Sequence, residues 1–310
     1  MTNSTPASHA SAVASVCAIV VSYNPDLPVT LELLSTLNES RCDFIVIDNH
    51  SSNIEALRAA AAAFERCRSC IALDRNIGQA AALNQALKAV ADANYELALL
   101  FDQDSKIDIS FVSNMLKAWQ VAQDVAPGKV AALGPRLVEP RSGRRMPFRA
   151  FTHLFERQEH RDTAHPELID TAFLITSGSL LPVAPLAVIG YMRSEYFIDN
   201  VDLEWCFRAR AKGYRLFGTE CATLQHRIGE DSANPLVRRG VIVQHNALRY
   251  YYSTRNRLHL HRQPYAPVVW RLKDSVRFAL KSVYLLVTSP ERKAFWSSLR
   301  RAIHDARSLP

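Results

Sequence analysis

The chain has 310 residues, 48% hydrophobic and 22% charged, which is enough apolar material for a sizeable core. Its formal net charge is +7, and residues 261–310 hold all of that excess, with ten Lys/Arg against three Asp/Glu. The charge therefore predicts an anionic partner for the C-terminal segment alone, and no nucleic-acid partner is expected.

Residues 1–15 are small and polar, with neither a basic nor an apolar signal-peptide region, and read as a disordered leader. No apolar run approaches the ~20 residues of a membrane-spanning helix, so a cytoplasmic protein is expected. The six cysteines are scattered and read as reduced thiols; Cys67 and Cys70 form a CxxC that lacks the second pair of a zinc site.

In chain order, three short apolar runs read as buried strands: Cys17–Tyr23, Phe44–Asp48 and Leu97–Phe101. Helical patterns lie between them. Asp26 and Pro28 open the first, with Val29, Leu33 and Leu37 on one face; residues 53–65 are alanine-rich; 77–91 place Ile77, Ala81, Leu87 and Val90 at near-helical spacing. This alternation predicts βαβ units and a mostly parallel sheet flanked by helices, with ligands at the carboxyl ends of its strands. The first strand runs into SYNPD rather than GxGxxG, which argues against a dinucleotide site. From about residue 129 a strand-like VAALG and an apolar stretch, Ala172–Leu181, broken at Ser177-Gly178-Ser179, read as an acceptor-binding half. Beyond about residue 265 come two basic amphipathic helices, one with Leu272, Val276, Ala279, Val283 and Leu286 in line, the other with Phe295, Leu299 and Ala302.

Three groups of residues carry candidate chemistry. Asp102-Gln103-Asp104 follows the run LALLF; a DxD is often a solvated turn, but at a strand end its carboxylates present hard oxygens to Mg²⁺ or Mn²⁺. Asp199, Asp202 and Glu204 precede a helical run. They fit simple stabilisation by the helix dipole, or, among Tyr196, Phe197 and Trp205, a desolvated general base. His226 is either structural or a third metal ligand.

The blocks VVSYNP, VIDNHSSN, RNIGQAAALNQAL, FDQDS, SGSLL, FIDNVDLEWCFRARAKGYR and QHRIG, in this order over residues 16–260, resemble the family 2 inverting glycosyltransferases of GT-A fold. Within that family FIDNVDLEW and the stretch 245–256 are most similar to bacterial rhamnosyltransferases. The resemblance implies a catalytic domain at 16–260, split into a donor half (16–128) and an acceptor half (129–260), with a basic helical tail at 261–310. It implies that Ser22, Asn24 and Asp48 hold the nucleobase and ribose, that Asn76, Gly78 and Gln103 lie against the nucleotide, and that Asp102, Asp104 and His226 bind the metal. Ser177, Gly178 and Trp205 fall on the acceptor side. With Arg208 fixing the register, Asp202 takes the base position, Val201 replaces the usual preceding acid, Asp199 is a rival base and Glu204 a supporting residue.

The implied reaction is transfer of L-rhamnose from TDP-β-L-rhamnose to a saccharide or glycolipid acceptor, as in surface-polysaccharide or rhamnolipid synthesis. The alternatives are a family 2 transferase for another hexose and a sugar-nucleotide pyrophosphorylase, although SYNPD lacks the glycine-rich basic loop of the latter. The tail is expected either to lie on an anionic membrane surface, peripherally on the inner face of the cytoplasmic membrane, or to pack its apolar stripes on the core.

Overall fold

The computed structural model describes residues 14–140, 142–153, 159–225, 247–289 and 291–310. The first half alternates strand and helix: β1 (Val16–Ser22), α1 (Leu27–Glu39), β2 (Asp43–Asp48), α2 (Ile54–Ala61), β3 (Cys67–Ala72), α3 (Gln79–Asp92), β4 (Leu97–Asp102) and α4 (Phe111–Val125). β1, β2 and β4 are continuous apolar runs because helices cover both faces. On one face Ala18, Val20 and Leu99 pack with Leu33 and Leu37 of α1 and Met115 of α4. On the other, Cys17, Ile19 and Leu100 pack with Leu83 and Leu87 of α3.

The second half adds β5 (Val130–Val138), β6 (His160–Arg161), β7 (Leu168–Asp170), β8 (Leu180–Pro182), α5 (Leu186–Ile189), a 3-10 turn at Ser194–Tyr196, α6 (Val201–Ala211) and β9 (Arg215–Gln225). Among the described residues the strands form one nine-stranded sheet, ordered β3-β2-β1-β4-β8-β5-β9-β7-β6. β3, β2, β1 and β4 are mutually parallel, as are β5 and β9, whereas β8 enters antiparallel between β4 and β5. The two halves therefore share a sheet. From β1 the chain proceeds outward to β2 and β3, then returns to place β4 on the other flank of β1. That reversal opens a crevice at the carboxyl ends of β1 and β4, where SYN and DQD lie.

Cys67 and Cys70 fall on β3, an edge strand. Burial pushes Cys70 up to about 11 and holds Cys67 above its usual value, so neither is poised as a reactive thiolate.

Three helices complete the described chain: α7 (Ala247–Arg262), α8 (Val268–Thr288) and α9 (Arg292–Asp305). The boundary expected at 260/261 falls inside α7. The second tail helix packs as its stripe predicts: Phe295 is 1% exposed, its ring edge-on to Tyr250 at 5.1 Å, and Ala302 is buried. In α8 the predicted stripe faces outward. Leu272, Val276 and Val283 are exposed, and Trp270, Ser282 and Leu285 form the buried side.

Candidate active site

The crevice is built from turns that bond to one another. The Tyr23 N–H donates to Gln103 Oε1 at 2.6 Å, Gln103 Nε2 donates back to the Tyr23 carbonyl at 3.3 Å, and Thr30 Oγ1 donates to the Gln103 carbonyl at 3.0 Å. Gln103 thus staples the β1 turn to the β4 turn. Ser22 Oγ donates to Asp48 Oδ1 at 2.9 Å, and the Ser51 N–H donates to Asp48 Oδ2 at 2.7 Å. Ser22 and Asp48 were expected to touch the nucleoside; at 1% and 0% exposure they shape the loops from beneath instead. Asn24, with φ 46°, accepts the Ser52 N–H at 3.0 Å and ties the β1 turn to the start of α2.

On the neighbouring loop Asn49 Nδ2 donates to Asn76 Oδ1 at 2.9 Å, and the same oxygen accepts the Gly78 N–H at 2.9 Å. Gly78 has φ 87°, and a Cβ there would stand 2.5 Å from the Phe197 ring. Glycine is required by conformation and by space, because the donor loop packs directly on the loop that precedes α6.

Asp102 sits at the mouth of this crevice. Its N–H donates to the buried Ser177 hydroxyl at 3.4 Å, and its Oδ1 accepts Gln79 Nε2 at 3.2 Å. Burial, then the charge of Asp104, pushes its carboxyl up to about 6, while Arg249 and Gln79 oppose the shift. Asp104 is exposed. Oxygen donors that repel each other in this way suit a divalent cation such as Mg²⁺ or Mn²⁺, whose charge would relieve the pair. Among the described residues no group of three or more His, Cys, Asp or Glu is placed to hold a metal ion, and the expected third ligand, His226, lies outside the described residues.

The opposite wall is the segment 196–202. Phe197, Asp199 and Asn200 all have φ between 60° and 65°, a conformation non-glycine residues rarely hold without external support. α7 supplies that support along one face. Asn256, wholly buried, donates to the carbonyls of Tyr196, Ile198 and Asp199 at 2.7, 2.8 and 2.9 Å. Tyr252 stacks on Phe197 at 4.7 Å, and Asn200 Nδ2 donates to the Ser253 carbonyl at 3.2 Å. The Asp199 carboxylate is gripped by Arg249, with Nε 3.2 and 3.3 Å from its two oxygens and Nη2 at 3.1 Å.

Asp202 opens α6. Its Oδ1 accepts the Leu203 N–H at 2.8 Å. Burial, reinforced by the charges of Asp102 and Asp199, pushes it up to about 6. It lines a solvent-open cavity of about 220 Å³ together with Phe151, Phe173 and Trp270. Such a carboxyl can accept a proton near neutral pH, whereas Asp199 is committed to Arg249.

The remaining expected residues lie deeper. Glu204 is wholly buried, 2.8 Å from Arg208 Nε, 3.3 Å from Arg193 Nε and 2.6 Å from the Tyr265 hydroxyl. It supports the site by anchoring α6 and not by facing the crevice. Trp205, expected on the acceptor side, is 2% exposed and donates its indole N–H to the Gly190 carbonyl at 2.8 Å. Ser177, also expected there, bonds to Ser105 at 2.5 Å beneath Asp102. Gly178 is buried with φ 80°, its Cβ position only 2.6 Å from Pro135. Ser177 and Gly178 are core and turn positions because β8 enters the sheet directly beside β4.

Sequence reasoning assigned no role to Arg249 or Asn256. The signal lay in the spacing: 249, 252, 253, 256 and 259 form one polar and aromatic face of α7, and all of it meets the 196–200 loop.

This sheet, with its crevice at the β1/β4 reversal, is the GT-A glycosyltransferase fold. It is shared with the mannosyltransferase PcManGT from Pyrobaculum calidifontis in complex with GDP-Man and Mn²⁺ (17% identity, TM-score 0.57, 97% of this chain and 77% of that one). S. aureus TarS 1–349 in complex with UDP-GlcNAc shares it too (16% identity, TM-score 0.58, 94% and 81%). The family description Glycosyl transferase family 2 matches residues 17–188, and the chain belongs to that family. It is also similar to the dTDP-rhamnosyl transferase RfbF of Shigella flexneri, with 27% identity over 279 residues, 90% of each chain.

Proposed function

We propose that this glycosyltransferase inverts configuration as it transfers L-rhamnose from TDP-β-L-rhamnose to a hydroxyl of a saccharide or glycolipid, forming an α-L-rhamnoside. The observation that carries the chemistry is that Asp202, at the start of α6, lines an open cavity within reach of the charge of Asp102, at the end of β4, while burial raises both carboxyls to about 6. The likeness to a dTDP-rhamnosyl transferase over 90% of the chain supports the donor.

Asp202 accepts the proton of the acceptor hydroxyl as that oxygen attacks the anomeric carbon, a role worth about 10²–10⁴-fold in rate. Phe151, Phe173 and Trp270 give the acceptor sugar apolar faces to lie on. Asp102 and Asp104, with His226 as a third ligand, would hold Mg²⁺ or Mn²⁺, and such an ion would offset negative charge on the diphosphate leaving group. Arg249, whose charge reaches Asp102, adds a fixed positive group on the same side. The stapled 22–24, 48–51 and 76–78 turns form the nucleoside floor. We place the enzyme in the cytoplasm.

Incubation with TDP-β-L-rhamnose and a panel of rhamnose-accepting saccharides and glycolipids tests this reading. It predicts release of TDP and an α-linked product by NMR. Release of pyrophosphate from TTP and rhamnose 1-phosphate, with no transfer from TDP-rhamnose, would identify a pyrophosphorylase instead.

A further inference from the structure

Helix α8 turns a row of large apolar side chains toward solvent. Val268, Leu272, Val276, Leu280, Val283 and Val287 are 61, 53, 61, 68, 62 and 69% exposed. At one turn per 3.6 residues they fall within an arc of roughly 120° that no charged residue interrupts. The other sides of the helix are already used. Trp270 and Leu285 are buried, and Lys273, Asp274 and Arg277 line the cavity that holds Asp202. A continuous apolar row of this length is more than the scattered exposed side chains of an ordinary surface.

Charge selects what covers it. Arg271 borders the row on one side, and Lys273 and Arg277 border it on the other. The one acidic residue of the helix, Asp274, is held by Arg257 and His261, each at 2.8 Å. On α9 the exposed Lys293, Arg300 and Arg301 accompany Trp296 and Ile303, which are 52% and 43% exposed. A second copy of the chain would bring two such cationic segments together. An anionic bilayer instead takes up the apolar row and the basic border at once. No described helix is long and apolar enough to cross a membrane, so the contact is that of a helix lying in the interface plane.

We propose that the outward row of α8, with the basic face of α9, docks this protein on the surface of an anionic lipid bilayer. Because Lys273 and Arg277 stand between the row and the cavity, docking sets the mouth of the Asp202 cavity beside the lipid headgroups. This goes beyond the donor and acceptor chemistry and stands or falls without it.

The test is flotation of the full chain with vesicles of phosphatidylglycerol and phosphatidylcholine, and with phosphatidylcholine alone. At low salt, binding to the anionic vesicles should exceed that to neutral ones by at least about tenfold, and it should weaken as salt rises. Val276→Ser, Leu280→Ser and Val283→Ser combined should reduce anionic binding by about tenfold or more, with circular dichroism and thermal melting unchanged, since all three are exposed. Lys293→Glu with Arg300→Glu should reduce it without the serines. Three results would overturn the proposal: failure of the full chain to float at low salt, undiminished binding by the serine variant, or a solution dimer that the serine changes dissociate, which would make the row a contact between copies.

Discussion

Asp202, at the start of α6, stands within reach of the charge of Asp102, at the end of β4. Burial first, and then like charge that includes Asp102, hold the Asp202 carboxyl up at about 6. A general base works only when deprotonated, so kcat/KM should rise with pH through about 6 and level off above it. Asp202→Asn should remove that limb and lower turnover by about 10²–10⁴-fold. Asp199→Asn should lose less; if it loses more, Asp199 is the base.

The same shift has a consequence for stability. A carboxyl with a raised folded-state pKa opposes folding in its ionised form, fully above about 6, and ceases to do so as pH falls toward 4. Asp202→Asn should therefore melt higher than the wild type at pH 8, and the gap should close between pH 6 and pH 4. Melting curves at the two ends of that range check the sign.

Asp102→Ala and Asp104→Ala should each abolish metal-dependent turnover while leaving a folded protein, because both lie at a strand end and neither anchors the core. EDTA should abolish wild-type turnover, and Mn²⁺ or Mg²⁺ should restore it. Undiminished wild-type turnover in EDTA would contradict the assigned metal role.

Asn256 serves three carbonyls in the loop that carries Asp199 and leads to Asp202. Asn256→Ala strands buried acceptors and should cost at least about 2 kcal/mol of stability. At temperatures where the variant stays folded, kcat should fall more than the donor KM rises, because the base is displaced and the β1/β4 turns are not. Equal changes in both would place the damage in the donor floor.

Much of the donor half was legible. β1, β2 and β4 announce themselves as continuous apolar runs because two helical layers cover them, and polar turns at their ends mark the crevice. β3 was missed because an edge strand reading CRSCIA is only half-buried and carries an arginine. The antiparallel entry of β8 left only the SGS break, which periodicity cannot interpret; hence Ser177 and Gly178 were expected beside the acceptor and lie beneath Asp102. Trp205 was misplaced because an aromatic near an acidic cluster fits a sugar platform or a core equally well until its indole partner, Gly190, is known. In α7 the polar face was readable, but its partner, the 196–200 loop, is about 50 residues away in sequence. The α8 pattern shared Leu272, Val276 and Val283 with the exposed row, while Leu286 packs inward, and it could not say which side of the helix would be covered.

The most direct test of the account is a donor competition with purified enzyme, one saccharide acceptor and equal concentrations of TDP-β-L-rhamnose and UDP-glucose in Mg²⁺ or Mn²⁺. The account predicts TDP release coupled to an α-L-rhamnoside, outpacing UDP release. Faster glucose transfer would contradict the rhamnosyl assignment, and a β-L-rhamnoside product would contradict inversion through Asp202.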